Sequence, residues 1–213
     1  MRKAVKGLLF DNDGVLVDSM AGAVASWSQW AKTYSPGFEL TPSHHGQTAE
    51  SIARNNLKVG TYEDAFQHIL ELEIELARDT IPLEGAIELT SSLTPGTWTI
   101  VTSASPKLAQ ARLLAAGIPI PAELVTSTDV VLGKPNPEPY LLGAKRLGFE
   151  ISECVVFEDA ASGIQAGLDA GAGLLVGVTE HAMDTKADLV VKSLLGITFV
   201  NGELFIPDEI RLR

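Results

Sequence analysis

An apolar run, GLLF at positions 7–10, is followed directly by Asp11, Asn12, Asp13 and Gly14. A short apolar run that closes on carboxylates and a glycine predicts a buried strand emptying into a loop. Ser19 is expected to cap a helix reaching about Lys32, with Val24, Trp27 and Trp30 on roughly one face. The Ser35-Pro36-Gly37 break ends it. Helical spacing returns from Gln47 to about Leu57 and from Tyr62 to about Arg78, with Phe66, Ile69, Leu70 and Leu76 among the apolar positions. No strand is expected between Ser19 and Thr80.

From Pro82 onward, helices and short apolar runs alternate. A helix at Ala86 to Leu93 precedes the strand WTIVTS, and a helix near Leu108 to Ala116 follows. A weak strand at Glu123 to Thr126, a helix near Pro139 to Leu147, strand CVVFED, a helix at Gly163 to Ala170, and strands GLLVGV and ADLVV complete the alternation. Such alternation is the mark of βαβ units around a parallel sheet. In ITFVNGELFI, Asn201-Gly202 between two alternating segments predicts a type I′ hairpin. The expected fold is therefore α/β: a Rossmann-like parallel sheet core at 1–17 and 82–213, an inserted all-helical cap at 18–81, and a C-terminal β-hairpin.

Composition narrows the function classes. The chain has 213 residues, 46% of them hydrophobic and 20% charged, enough for one good-sized core with a smaller insert. Its net charge of -11 and its lack of clustered Lys and Arg argue against nucleic acid or an anionic membrane as partner. No apolar stretch reaches the roughly 18 residues of a membrane span, and the carboxylates after GLLF do not fit a signal peptide. The one cysteine, Cys154, permits no internal disulfide, so a cytoplasmic location is expected. A monomer or weak homo-oligomer is the expected state.

Open parallel sheets bind ligands beyond the carboxyl ends of their strands. Four predicted strand ends carry chemistry: Asp11 and Asp13, Ser103, Lys134 in LGKPNPEPY, and Glu158 with Asp159. Each has a plain structural reading. Asp13 and Gly14 suit a turn, Ser103 or Ser105 a helix cap, Lys134 an exposed loop, and Asp159 or Ser162 the cap of the next helix, with Glu158 at its positive end. Their coincidence at successive strand ends is what favours a site. One carboxylate attacking a phosphate dianion among other carboxylates needs a cation, and hard oxygen ligands suit Mg²⁺. Lys134 adds positive charge, while the Ser103 hydroxyl and neighbouring backbone N–H groups, including that of Ala104, suit phosphate oxygens. GAGLLVG lacks the G-x-G-x-x-G spacing of a dinucleotide site, and Lys134 followed by Pro135 is no P-loop lysine.

FDNDGVLVDS, IVTSAS, the lysine of LGKPNPEPY and VVFEDAASGIQAG resemble, in this order, the four motifs of the haloacid dehalogenase superfamily. A helical insert directly after the first motif resembles the small cap of the phosphatase and phosphoglucomutase branch. DNDGVLVDS, HHGQTAESI and IVTSAS look most like its sugar- and polyol-phosphate phosphatases. The resemblance implies Asp11 as nucleophile and Mg²⁺ ligand, and Asp13 as general acid and base that also lends its backbone carbonyl to the metal. It implies Ser103 as phosphate ligand, Lys134 steadying nucleophile and phosphate, Asp159 as Mg²⁺ ligand, and Glu158 as ligand or supporting partner. His45, Gln47 and Thr48 of the cap are candidates for the leaving group.

The rival function is a β-phosphoglucomutase-like phosphotransferase. Mutases of this kind carry a histidine where Ala23 aligns and an arginine where Ala49 aligns, although Arg54 lies close enough to substitute. Asp13 argues against a dehalogenase, which lacks the second aspartate. A non-catalytic phosphate-binding module is the third reading, disfavoured because every catalytic residue type is present.

Overall fold

The computed structural model describes residues 1–41, 44 and 47–213. In chain order, its strands are β1 (Arg2–Ala4), β2 (Gly7–Phe10), β3 (Val17–Asp18), β4 (Ile81–Pro82), β5 (Trp98–Val101), β6 (Leu124–Val125), β7 (Cys154–Glu158), β8 (Leu174–Val178), β9 (Leu189–Val191), β10 (Thr198–Val200) and β11 (Glu203–Phe205). The α-helices are α1 (Met20–Tyr34), α2 (Ala49–Asn56), α3 (Tyr62–Leu76), α4 (Ala86–Ser92), α5 (Pro106–Ala115), α6 (Glu138–Leu147) and α7 (Ala161–Ala170).

Six strands form one parallel sheet in the order β6-β5-β2-β7-β8-β9. Strands β2, β5, β7 and β8 are buried along their whole length. This explains why they read as continuous apolar runs: helices cover both faces of a parallel sheet. Successive residues of β2 divide between two cores. Leu8 and Phe10 join one with Ile100, Phe157 and Val176, while Leu9 joins the other with Val101, Val156 and Leu175. Phe10 stacks on Phe157 at 4.7 Å between ring centroids. The chain adds β5 and β6 on one side of β2 and then returns to lay β7 on the other. A crevice at the carboxyl end of β2 follows from that reversal.

Between residues 19 and 80 no strand occurs among the described residues. Helices α1, α2 and α3 enclose a core of their own around Trp27, Trp30, Ile52, Ala65 and Ile69. The chain enters and leaves this group through a two-stranded ribbon, in which Val17 pairs with Pro82 and Asp18 with Ile81. Val24, expected beside the two tryptophans, is 42% exposed. The buried stripe of α1 runs through Ser26, Trp27, Trp30 and Ala31, and Val24 lies to one side of it.

The C-terminal hairpin forms as expected, with Asn201 at φ 52° and Gly202 at φ 79°. Positive φ at both central residues is the type I′ geometry. The hairpin pairs antiparallel with β1, a strand not anticipated in the sequence. No helix among the described residues is long and apolar enough to cross a membrane.

Candidate active site

Asp11 follows β2 immediately, and its backbone N–H donates to Phe157 O at 2.9 Å, which ties it to β7. Its side chain is approached by Lys134, whose Nζ donates to Asp11 Oδ1 at 2.6 Å, Glu158 Oε1 at 2.6 Å and Val101 O at 2.9 Å. The Lys134 side chain is 1% exposed. The loop bearing it is braced by Glu138, which accepts from the backbone N–H groups of Val131 and Leu132. An exposed loop lysine, the plain alternative, is thereby ruled out.

Glu158 ends β7 and is almost fully buried. Oε1 accepts from Lys134 and from the Tyr140 hydroxyl at 2.7 Å, and Oε2 accepts from Asp159 N and Ala160 N at 3.1 and 3.2 Å. Gly163 allows this arrangement, since a Cβ there would lie 1.7 Å from Glu158 Oε1. The cap position of α7 belongs to Ala160, not to Asp159 or Ser162, and Glu158 supplies the acceptor.

Asp11, Glu158 and Asp159 offer carboxylate oxygens that lie within 4.8 Å of one another, all three residues buried. Gly14, at φ 84°, passes beneath Asp159, where a Cβ would come within 2.1 Å of Oδ2. Only glycine meets both conditions. Burial, together with Glu158 and Asp13, pushes the Asp11 carboxyl up to about 7 in spite of Lys134. Burial and the neighbouring Glu158 and Asp11 likewise raise Asp159 well above the usual carboxylate range. Three buried carboxylates against one lysine leave an excess of negative charge, and their hard oxygens fit a divalent cation such as Mg²⁺.

Asp13 stands two residues on, its side chain 30% exposed. Its Oδ1 accepts from Ser19 Oγ at 2.5 Å and from Arg112 Nη1 at 3.0 Å. The expected role of Ser19 is corrected here. Its side chain makes no capping bond to α1, because the hydroxyl is turned to Asp13.

Above the strand ends lies a cavity of about 770 Å³, within the range of small-molecule sites. Asp11, Asp13, Ser103, Ala104 and Asp159 line it, as do Gln47 and Thr48 from the helical insert. Ser105 occupies the cap position of α5 without a side-chain capping bond. The Ala104 N–H is donated to Thr102 Oγ1 at 3.1 Å, so Ala104 reaches the cavity without an unengaged donor. Thr48 Oγ1 accepts from Ser51 N at 3.2 Å and caps α2, which leaves the hydroxyl proton for other partners. His45 lies outside the described residues, but His44 lines the cavity. Arg112, Glu73 and Trp27 line it too, none of them anticipated. A signal was present: Arg112 shares its helix stripe with Leu108 and Ala109, and Glu73 shares one with Ile69 and Leu72. A charged residue on an apolar stripe marks a buried polar contact.

Such a sheet, with a buried carboxylate cluster and a buried lysine at its strand ends under a helical cover, defines a class of α/β enzyme that handles anionic esters. A family model described as haloacid dehalogenase-like hydrolase matches residues 5–171, and the chain belongs to that family. It is 39% identical over 214 residues to hexitol phosphatase A of Escherichia coli, which covers 94% of this chain and 98% of that protein. Glycerol-1-phosphate phosphohydrolase 2 of Saccharomyces cerevisiae is 31% identical over 89% of this chain and 82% of its own length. The crystal structure of β-phosphoglucomutase from Clostridium difficile superposes with a TM-score of 0.74, 24% identity, and 89% and 92% coverage of the two chains. That last likeness concerns the fold alone.

Proposed function

We propose that this protein is a Mg²⁺-dependent phosphatase that hydrolyses small phosphate monoesters of sugars or polyols through an aspartyl phosphate on Asp11. The observation that carries the reading is the Asp11 carboxylate, held by buried Lys134 at the cavity floor with Asp13 two residues along. The phosphatases of hexitols and glycerol 1-phosphate among its relatives support the same class of substrate.

In this reading, residues 18–81 form a cap over a core of 1–17 and 82–213. An Asp11 oxygen attacks phosphorus, the ester bond to the alcohol breaks, and Asp13 gives its proton to the departing oxygen. Water then attacks phosphorus, returns a proton to Asp13, and releases inorganic phosphate with the Asp11 carboxylate restored. Ser103 would hold a phosphate oxygen, while Lys134, its three donors engaged by Asp11, Glu158 and Val101, would steady the nucleophile. Asp11, Asp159 and the Asp13 carbonyl would hold Mg²⁺. Glu158, its oxygens already engaged, would support Lys134 from behind. When bound, the metal supplies positive charge that offsets the phosphate dianion and the carboxylates. The substrate is a free small molecule, not nucleic acid or membrane, and the enzyme works as a monomer or weak homo-oligomer. A cytoplasmic setting is supported by a single cysteine that is buried and unpaired.

The mutase alternative needs an anchor for a second phosphate. Ala23 and Ala49 line the cavity, while Arg54 pairs with Glu50 at 3.0 Å and lies over the Tyr62 ring, away from the cavity lining. The only Lys or Arg among the described lining residues is Arg112, which already faces two carboxylates. A panel of hexose, pentose and polyol monophosphates tests the proposal. Steady phosphate release with Mg²⁺ is expected, with no stimulation by a bisphosphate. Conversion of β-glucose 1-phosphate to glucose 6-phosphate faster than phosphate release would favour the mutase.

A further inference from the structure

The Asp13 side of the cavity continues into a charged pair that the hydrolytic steps do not use. Arg112, on α5, donates Nη1 to Asp13, and its Nη2 lies 3.8 Å from Glu73 Oε1 on α3. Trp27 Nε1 donates to the same Glu73 oxygen at 3.3 Å. Glu73 is 7% exposed, and its Oε2 is buried with no hydrogen-bond partner among the described residues. An unsatisfied buried acceptor costs about 1–3 kcal/mol, and more when charged. Yet Glu73 is one of the residues that line the cavity, one guanidinium away from the proton carrier. A ligand that brings its own donor would complete the site.

Two further observations set the ligand's chemistry. Asp13, Asp18, Glu50 and Glu73 are among the residues that line the cavity, with Arg112 as the one guanidinium or ammonium among the described lining residues. A second phosphate or a carboxylate would meet like charge there, whereas hydroxyl groups can donate to Glu73 and accept from Arg112. Trp27, Phe66, Leu40 and Ile52 add apolar surface against which carbon-bound hydrogens can pack.

We propose that Glu73, backed by Arg112, is the specificity residue for the leaving group. Its Oε2 accepts a hydrogen bond from a hydroxyl carried beyond the oxygen that Asp13 protonates. This rests on the phosphatase reading and narrows its substrate class to monophosphates whose leaving group is neutral and polyhydroxylated. The role of Arg112 is positioning: its planar fork fixes both carboxylates.

The test compares kcat/KM for a hexitol monophosphate, glycerol 1-phosphate and para-nitrophenyl phosphate, whose leaving group carries no further hydroxyl. Between the two alkyl esters, the wild-type value is expected to be higher for the hexitol monophosphate than for glycerol 1-phosphate, which carries fewer hydroxyls. Glu73→Gln should lower the hexitol value about tenfold and Glu73→Leu about a hundredfold, in line with the loss of a charge-assisted hydrogen bond. Both should lower the para-nitrophenyl phosphate value several-fold less than the hexitol value, since that leaving group offers Glu73 no hydroxyl. An equal loss on all three substrates would mark Glu73 as merely structural and overturn the proposal. So would equal wild-type values for the hexitol and glycerol esters, which decides the matter even if the variants fail to fold. Failure of the wild-type protein to release phosphate from any of the three would sink the phosphatase reading itself, a different outcome.

Discussion

Lys134 Nζ stands 2.6 Å from Asp11 Oδ1, a contact made between residues 123 positions apart and closed off from solvent on the lysine side. The same ammonium neutralises Glu158, so its removal leaves two buried carboxylates with no counter-charge. Breaking a buried pair in this way costs about 3–5 kcal/mol. Lys134→Ala should therefore lose both catalysis and a large part of the fold's stability, as read by urea unfolding beside phosphate release. A variant with unchanged unfolding midpoint would contradict the buried-pair account.

The carboxylate cluster makes stability depend on pH in an unusual sense. Asp11 is raised from 3.8 to about 7, first by burial and then by Glu158 and Asp13, against the pull of Lys134. A raised folded value contributes stability that is present below the unfolded value and lost as pH rises through the folded one. In EDTA, the protein should thus become less stable between about pH 4 and 7. Mg²⁺ should reverse the loss, since it binds the ionised form. Thermal unfolding at pH 5 and pH 8, with EDTA and with Mg²⁺, checks this. Asp11→Asn should flatten part of the EDTA slope, and an identical slope in that variant would remove Asp11 as its cause.

In the proposed first step, Asp13 gives a proton to the leaving oxygen only where that oxygen needs one. Asp13→Asn should lower kcat for a polyol phosphate about 10²–10⁴-fold. Formation of the phosphoryl-enzyme from para-nitrophenyl phosphate should suffer far less, because nitrophenolate leaves without a proton. Rapid-quench measurement of the first nitrophenolate burst separates the two. Equal loss of burst and polyol turnover would place Asp13 outside proton transfer.

Thr179, beyond β8 at the cavity edge, adopts φ 66° and ψ 172° and buries Oγ1 without a hydrogen-bond partner among the described residues. That region of backbone space belongs almost wholly to glycine and costs other residues about 1–3 kcal/mol. Thr179→Gly should stabilise the protein by about 1 kcal/mol after allowance for the added chain freedom of glycine. A clear loss of stability in denaturant would show that the Thr179 side chain contributes more than the strain removes.

Much of this site is legible in the sequence, for a physical reason. Asp11, Ser103 and Glu158 with Asp159 each lie at or just beyond the end of a buried strand whose apolar run is conspicuous. Parallel strands carry their ends to one edge of the sheet, so neighbours in space follow from local pattern alone. Lys134 was marked by chemical type, but its path to Asp11 depends on how α6 packs. Arg112 and Glu73 meet only because α3 of the insert lies against α5 of the core, a contact that no local period encodes. Strand β1 escaped notice for the same reason: its three residues owe their extended form to β11, some two hundred positions away. The Ser19 hydroxyl reads as a helix cap because the helix start is its nearest option, whereas the acceptor it meets, Asp13, lies six positions back along the loop after β2.

Transfer of the phosphoryl group to Asp11 is the step on which the proposed chemistry turns. Brief mixing of the Mg²⁺-loaded protein with a hexitol monophosphate, followed by acid quench, digestion and mass spectrometry, should find one phosphoryl group on the peptide that contains Asp11. Asp11→Asn should yield neither this adduct nor inorganic phosphate. Normal phosphate release by Asp11→Asn, or a phosphoryl group trapped on any other residue, would contradict the central claim.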